Sequence, residues 1–171
     1  MFEFLEGKFE EITPSYIVVN CSSVGYRVEI SLTTYTDLKD KSSGRLFVHH
    51  IVREDAQLLF GFSSKKERAV FRALISVNGI GANTARMMLS SLNSDELIRA
   101  VVKEDVNAIK AVKGIGIKTA QRVIIDLKDT FSKFEVSNVD VQSNNKNKEE
   151  ALLALQTLGF NKVLIEKALD K

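Results

Sequence analysis

Residues 77–89 read VNGIGANTARMML, and residues 112–124 read VKGIGIKTAQRVI. At a spacing of 35, Gly79, Ile80 and Gly81 fall on Gly114, Ile115 and Gly116, while Thr84 and Ala85 fall on Thr119 and Ala120. The basic residues match less well, because Arg86 lies one place before the equivalent of Arg122. A repeat constrains the fold more tightly than composition does, since each copy must build the same local unit. Each copy is followed by a stretch with helical spacing. The repeated unit is therefore a helix, a tight glycine–hydrophobe–glycine turn and a second helix.

That form is a helix-hairpin-helix. Its glycines allow backbone angles closed to other residues and let a ligand come close. The turn and the helix start after it present unpaired N–H groups to an anion, aided by the helix dipole. A phosphate diester suits such a site. The expected contacts are Gly79, Ile80, Gly81 and Asn83 at the first turn, and Gly114, Ile115, Gly116, Lys118, Thr119 and Arg122 at the second. The two isoleucine side chains are expected to point inward and anchor the turns. Contacts of this kind touch backbone rather than base edges, so binding would be independent of sequence and sensitive to salt. Two copies suggest a pseudo-symmetric clamp on both strands of one duplex across the minor groove. The plainer alternative is that two glycine turns simply end two helices.

Charge favours the polyanion. Residues 63–134 carry 13 basic and 7 acidic side chains, a net +6, whereas residues 1–62 carry 6 and 9, and residues 135–171 carry 5 and 6. The whole-chain charge of +2 hides this concentration in the segment that holds the repeat.

Before Ser63 the pattern is that of strands. SYIVVN, VGYRVEIS, GRLFVHHIV and AQLLFGF are short and rich in β-branched and aromatic residues, punctuated by Gly25, Gly44 and Pro14. About five short strands in sixty residues predict a small barrel of the OB-fold type. From Ser64 the period becomes helical, opening on a Ser64–Glu67 capping box, and about five helical elements follow. EVSNVDVQSNNKNK, from residue 135 to 148, reads as a flexible linker. Residues 149–171 read as two short amphipathic helices broken at Gly159.

Other chemistries find little support. GIGIKT has Ile117 where a phosphate-binding loop needs glycine before its lysine, and no strand leads into it. His49 and His50 adjoin on one strand and would face opposite ways, so they cannot share a metal. Cys21, the single cysteine, excludes an internal disulfide and a thiolate zinc site, and reads as a small core hydrophobe in a reducing cytoplasm. The start MFEFLEGKFEE lacks a signal peptide's basic and apolar regions, and no apolar run approaches the roughly 20 residues of a membrane helix. A base-excision glycosylase also carries such hairpins but needs a poised aspartate, and the nearby Asp140 lies in the Asn-rich stretch. No catalytic residue, metal or cofactor is expected. Glu54 and Asp55, from residue types alone, make a solvated hairpin tip, though acid is odd on a protein that binds phosphate.

The order of these parts, with REDAQLLFGF, the paired NGIG and KGIGIKTA turns and the closing LGF unit, resembles the RuvA family, the Holliday-junction-binding subunits of the bacterial branch-migration machinery. The resemblance implies an α+β multidomain chain: an OB-fold barrel over 1–62, an all-α tandem helix-hairpin-helix domain over 63–134, a linker over 135–148 and a small UBA-like helical domain over 149–171. It implies a homotetramer or octamer that holds four-way DNA open and flat, with Glu54 and Asp55 as an acidic pin at the junction centre. It further implies docking on the hexameric ATPase RuvB through Leu155, Leu158, Gly159 and Phe160, and the resolvase RuvC as a further partner. Two departures stand out. Ala82 and Asn83 follow Gly81 where the family often has Pro-Lys, and two helices are legible in the last segment where the family usually has three.

Overall fold

The computed structural model describes residues 2–139 and position 155. Five strands form a closed barrel: β1 (Phe4–Ile12), β2 (Tyr16–Cys21), β3 (Val24–Ile30), β4 (Ser43–Val52) and β5 (Gln57–Phe62). Around the barrel they run β1-β2-β3-β5-β4, and the closing β3–β5 pair is parallel while the other pairs are antiparallel. Side chains alternate across each strand, so Ile17, Val19, Val28, Ile30, Leu46 and Val48 fill the interior. Cys21 is a free, half-buried thiol packed against this core. The OB-type barrel expected from the strand pattern is present.

Closure depends on two glycines that sequence reasoning had no cause to single out. A Cβ on Gly61 would stand 2.5 Å from Leu46 Cδ2 and 2.6 Å from Val28 Cγ1, and one on Gly7 would stand 2.0 Å from the Asn20 carbonyl oxygen. At Gly7 only a bare backbone lets β2 approach this closely, and at Gly61 the missing side chain leaves room for Leu46 and Val28 inside the barrel.

Between β3 and β4 the chain forms a short helix, α1 (Leu32–Leu38), which carries no helical stripe in its sequence. Ser31 caps it by accepting from the Thr34 N–H at 3.0 Å. After β5 come α2 (Lys65–Ser76), α3 (Ala82–Ser91), α4 (Ser94–Val102), α5 (Val106–Lys110) and α6 (Ile117–Val139). α6 continues to Val139 and so crosses residue 135, where composition places the start of the linker.

The capping box expected at Ser64 is only half made. Ser64 Oγ accepts from the Glu67 N–H at 3.1 Å, but the Glu67 carboxylate does not return the bond to Ser64. It is buried instead, accepting from Ser31 Oγ and from Thr34 Oγ1 at 2.5 and 2.6 Å. Burial pushes this carboxyl above its ordinary range, and the Ser31 and Thr34 hydrogen bonds oppose that shift. A complete box forms two helices later, at α4. Asn93 Oδ1 accepts from the Glu96 N–H at 3.0 Å, and Glu96 Oε2 accepts from the Asn93 N–H at 2.9 Å.

Residues 1–131 form one compact unit and residues 132–171 a second. Within the first, arginines join barrel to helices. Arg68, 8 % exposed, donates to the Glu3 carbonyl at 2.6 Å and meets the Glu3 carboxylate at 2.7 Å. Arg72 Nε donates to His49 Nδ1 at 3.3 Å, and Arg86 Nη1 donates to the Ser15 carbonyl at 2.9 Å. Position 155 is helical and half-buried, and the other expected docking residues, Leu158, Gly159 and Phe160, lie outside the described residues.

Candidate nucleic-acid interface

The two glycine turns share one hydrogen-bond plan. In the first, Val77 N–H donates to the Leu74 carbonyl at 3.1 Å, Ile80 N–H to Val77 at 3.0 Å and Ala85 N–H to Gly81 at 2.9 Å. In the second, Val112 N–H donates to Ile109 at 3.2 Å, Ile115 N–H to Val112 at 3.1 Å and Ala120 N–H to Gly116 at 2.9 Å. Gly79 has φ +93° and Gly114 has φ +88°, the left-handed region that admits glycine far more readily than other residues. Burial repeats with the same 35-residue period: Leu74, Val77, Ile80, Ala85, Met88 and Leu89 match Ile109, Val112, Ile115, Ala120, Val123 and Ile124, all buried. Two copies of one sequence pattern have folded into two copies of one structure.

This plan leaves matching sets of donors unused. Among the described residues the N–H groups of Gly79, Gly81, Ala82, Asn83 and Thr84 meet no acceptor, nor do those of Gly114, Gly116, Ile117, Lys118 and Thr119. Helix starts always leave such groups over. Beside the glycines the space is open, since a Cβ added at Gly79, Gly81, Gly114 or Gly116 would meet nothing within 4 Å.

The expected contact residues divide accordingly. All four glycines, Asn83, Lys118 and Arg122 are exposed, and Thr119 is half-buried. Ile80 and Ile115 are 4 % and 6 % exposed and spend their N–H groups inside the turns, so they anchor the turns and have no free donor for a ligand. Arg122 reaches across to the other hairpin, where its Nη1 donates to the Asn78 carbonyl at 3.3 Å.

The net charge of the helical segment overstates what a ligand meets. Arg68 and Arg72 pair with Glu3, Arg86 with Glu29, Lys66 with Asp95 and Lys128 with Glu104. Lys110 and Lys113 remain exposed beside the second turn. Lys113 directly precedes Gly114, and its place in VKGIG is the signal that would have added it to the contacts.

Glu54 and Asp55 occupy the tip of the β4–β5 hairpin, closed by the Arg53 N–H donating to the Ala56 carbonyl at 2.8 Å. Both are exposed, and no ion pair among the described residues engages either carboxylate. His49 packs on Phe71 and His50 on Phe2, so the two imidazoles face different neighbours. Burial, followed by Arg72 and Arg68, holds His49 below its ordinary range. Among the described residues no three His, Cys, Asp or Glu side chains gather as a metal site, and no helix is long and apolar enough to cross a membrane.

Comparison with known proteins finds two family matches along the chain. Residues 1–61 match the family described as RuvA N terminal domain, and residues 71–129 match the SAM-like helix-hairpin-helix tandem. A Flavobacterium psychrophilum protein is 46% identical over 172 residues, spanning 100% of this chain and 89% of its own length. A Christiangramia forsetii protein is 47% identical with the same coverage, and a Bacteroides fragilis protein is 44% identical over 98% of this chain and 88% of its own. All three bear the name Holliday junction branch migration complex subunit RuvA. A closed five-stranded barrel, a duplicated glycine hairpin behind it and identity above 40% along nearly the whole length have one common source: this chain belongs to the RuvA family.

Proposed function

We infer that this protein is a non-catalytic subunit of a bacterial branch-migration complex, binding four-way junction DNA without sequence preference during recombination and repair in the cytoplasm. The observation that carries this reading is the pair of matched, unpaired amide sets at Gly79 with Gly81–Thr84 and Gly114 with Gly116–Thr119, beside open space at all four glycines. Each set can hold a backbone phosphate through hydrogen bonds and the dipole of the following helix. Lys113, Lys118 and Arg122 add charge-assisted contacts.

The remaining assignments are part of this proposal, and family membership supports them. The barrel over 1–62 forms the centre of a homotetramer, or of an octamer when two tetramers face each other. The hairpin domain over 63–134 lines the DNA arms. Glu54 and Asp55 act as the pin, where like charge repels phosphates and turns strands apart. The segment between α6 and residue 149 links to a helical domain over 149–171, whose Leu155, Leu158, Gly159 and Phe160 dock on the hexameric ATPase RuvB. The resolvase RuvC is the further partner.

A gel-shift series without ATP or metal tests the reading. Tight binding to a four-way junction, with weaker binding to linear duplex of the same sequence, is the expected result. Equal affinity for both substrates, or no binding at low salt, overturns it.

A further inference from the structure

We propose that Arg122, carried on the helix of the second hairpin, supplies the cation for the phosphate held at the first hairpin. The proposal rests on the reading above, that both turns hold phosphates, and adds which residue completes the first.

The first turn has no cation of its own to offer. Asn83 stands where Lys118 stands in the second copy, and Met87 where Arg122 stands. The only base in α3 is Arg86, which is turned into the barrel, donating to the Ser15 and Ile30 carbonyls and pairing with Glu29 at 3.3 Å. The second turn, by contrast, is flanked by exposed Lys113 and Lys118.

Arg122 crosses this gap. Its Nη1 donates to the carbonyl of Asn78, the residue immediately before Gly79 at φ +93°. A guanidinium has five N–H donors, and the others of Arg122 engage no described residue. Its anchor is a neutral carbonyl rather than a carboxylate, so the fork is held in place beside the first turn with its charge uncancelled. Such pre-positioning lowers the ordering cost of a charge-assisted phosphate contact. The link is one-sided. The equivalents of Arg122 and Asn78 are Met87 and Lys113, so no reciprocal bridge joins the first helix to the second turn.

Double-mutant cycles on the full chain, read by junction binding across a salt series, test this. Gly81→Ala and Gly116→Ala place a methyl over the first and the second turn, respectively. Neither Cβ meets another atom within 4 Å, so the fold is retained. Arg122→Gln is expected to weaken junction binding about tenfold and to lower the salt slope by about one phosphate contact. In the Gly81→Ala background its further effect should fall below about twofold, while in the Gly116→Ala background it should stay near tenfold. Coupling to Gly116→Ala instead, equal additivity in both backgrounds, or an unchanged salt slope overturns the assignment. If neither alanine variant weakens binding, the failure lies with the phosphate reading of the turns. Arg122 is at fault only when those variants weaken binding and the cycle couples elsewhere.

Discussion

Thr34 Oγ1 on α1 donates to Glu67 Oε2 on α2 at 2.6 Å, joining the helix inside the barrel sequence to the first helix after it. The carboxylate is buried, and burial raises its pKa above the ordinary 4.5. A carboxyl whose folded pKa is raised contributes most below its unfolded value and loses that contribution as pH rises through the folded one. Glu67→Gln is neutral at every pH. Its stability relative to the parent is therefore expected to improve as pH rises from about 4.5 toward neutrality. Glu67→Ala removes the acceptor for two hydroxyls and should cost about 2 kcal/mol. Urea titrations at several pH values check both.

Glycine substitutions should separate folding from binding. Gly79→Ala and Gly114→Ala force a side chain into the left-handed region and are expected to cost about 1–2 kcal/mol. Gly81→Ala and Gly116→Ala, with Gly81 at φ −84° and open space at both, should stay within about 0.5 kcal/mol of the parent. All four should weaken junction binding. Thermal melts beside gel shifts distinguish the two classes.

Arg68 belongs to the basic segment in sequence but to the barrel in structure. Arg68→Ala removes a buried donor from the Glu3 and Val48 carbonyls, of which Glu3 keeps the Val48 N–H at 3.1 Å, and should cost about 2 kcal/mol. The salt slope of DNA binding should not change, because no phosphate contact is lost. A reduced slope would place Arg68 at the interface instead.

The β2–β3 hairpin turns on Ser22 and Ser23, at φ 51° and 71°, with Cys21 paired to Val24. Two-residue turns with both φ positive favour Asn-Gly. Replacing both serines, Ser22→Asn with Ser23→Gly, should stabilise the chain by about 1 kcal/mol, read as a higher urea midpoint.

Neutralising the hairpin tip with Glu54→Gln and Asp55→Asn removes charge from exposed side chains and leaves the turn's backbone bond in place. Branch migration in the presence of the ATPase is expected to change more than junction affinity. A large loss of affinity would count against a pin.

Local patterns were legible wherever a residue's role depended on its neighbours in sequence. The glycine repeat announced both hairpins, and the β-branched, aromatic-rich runs announced the strands that carry Ile17, Val19, Val28 and Ile30 in the barrel. Lys113 is equally legible in VKGIG, directly before Gly114.

Roles set by approach in space were not legible. Ser64 and Glu67 spell a capping box, yet Glu67 leaves it because Ser31 and Thr34, more than thirty residues earlier, offer two hydroxyls in a buried seam. Arg68 and Arg86 count as DNA-facing charge until the fold brings Glu3 and Glu29 against them. Gly7 and Gly61 look like ordinary strand residues until closure brings Asn20, Leu46 and Val28 within contact of them. Chain order was enough to set the local units, because turn angles and side-chain periodicity act over a few residues. Which charges stay exposed, and that Arg122 reaches Asn78 of the other hairpin, came from the folded chain alone, because burial and pairing depend on distances that chain order does not encode.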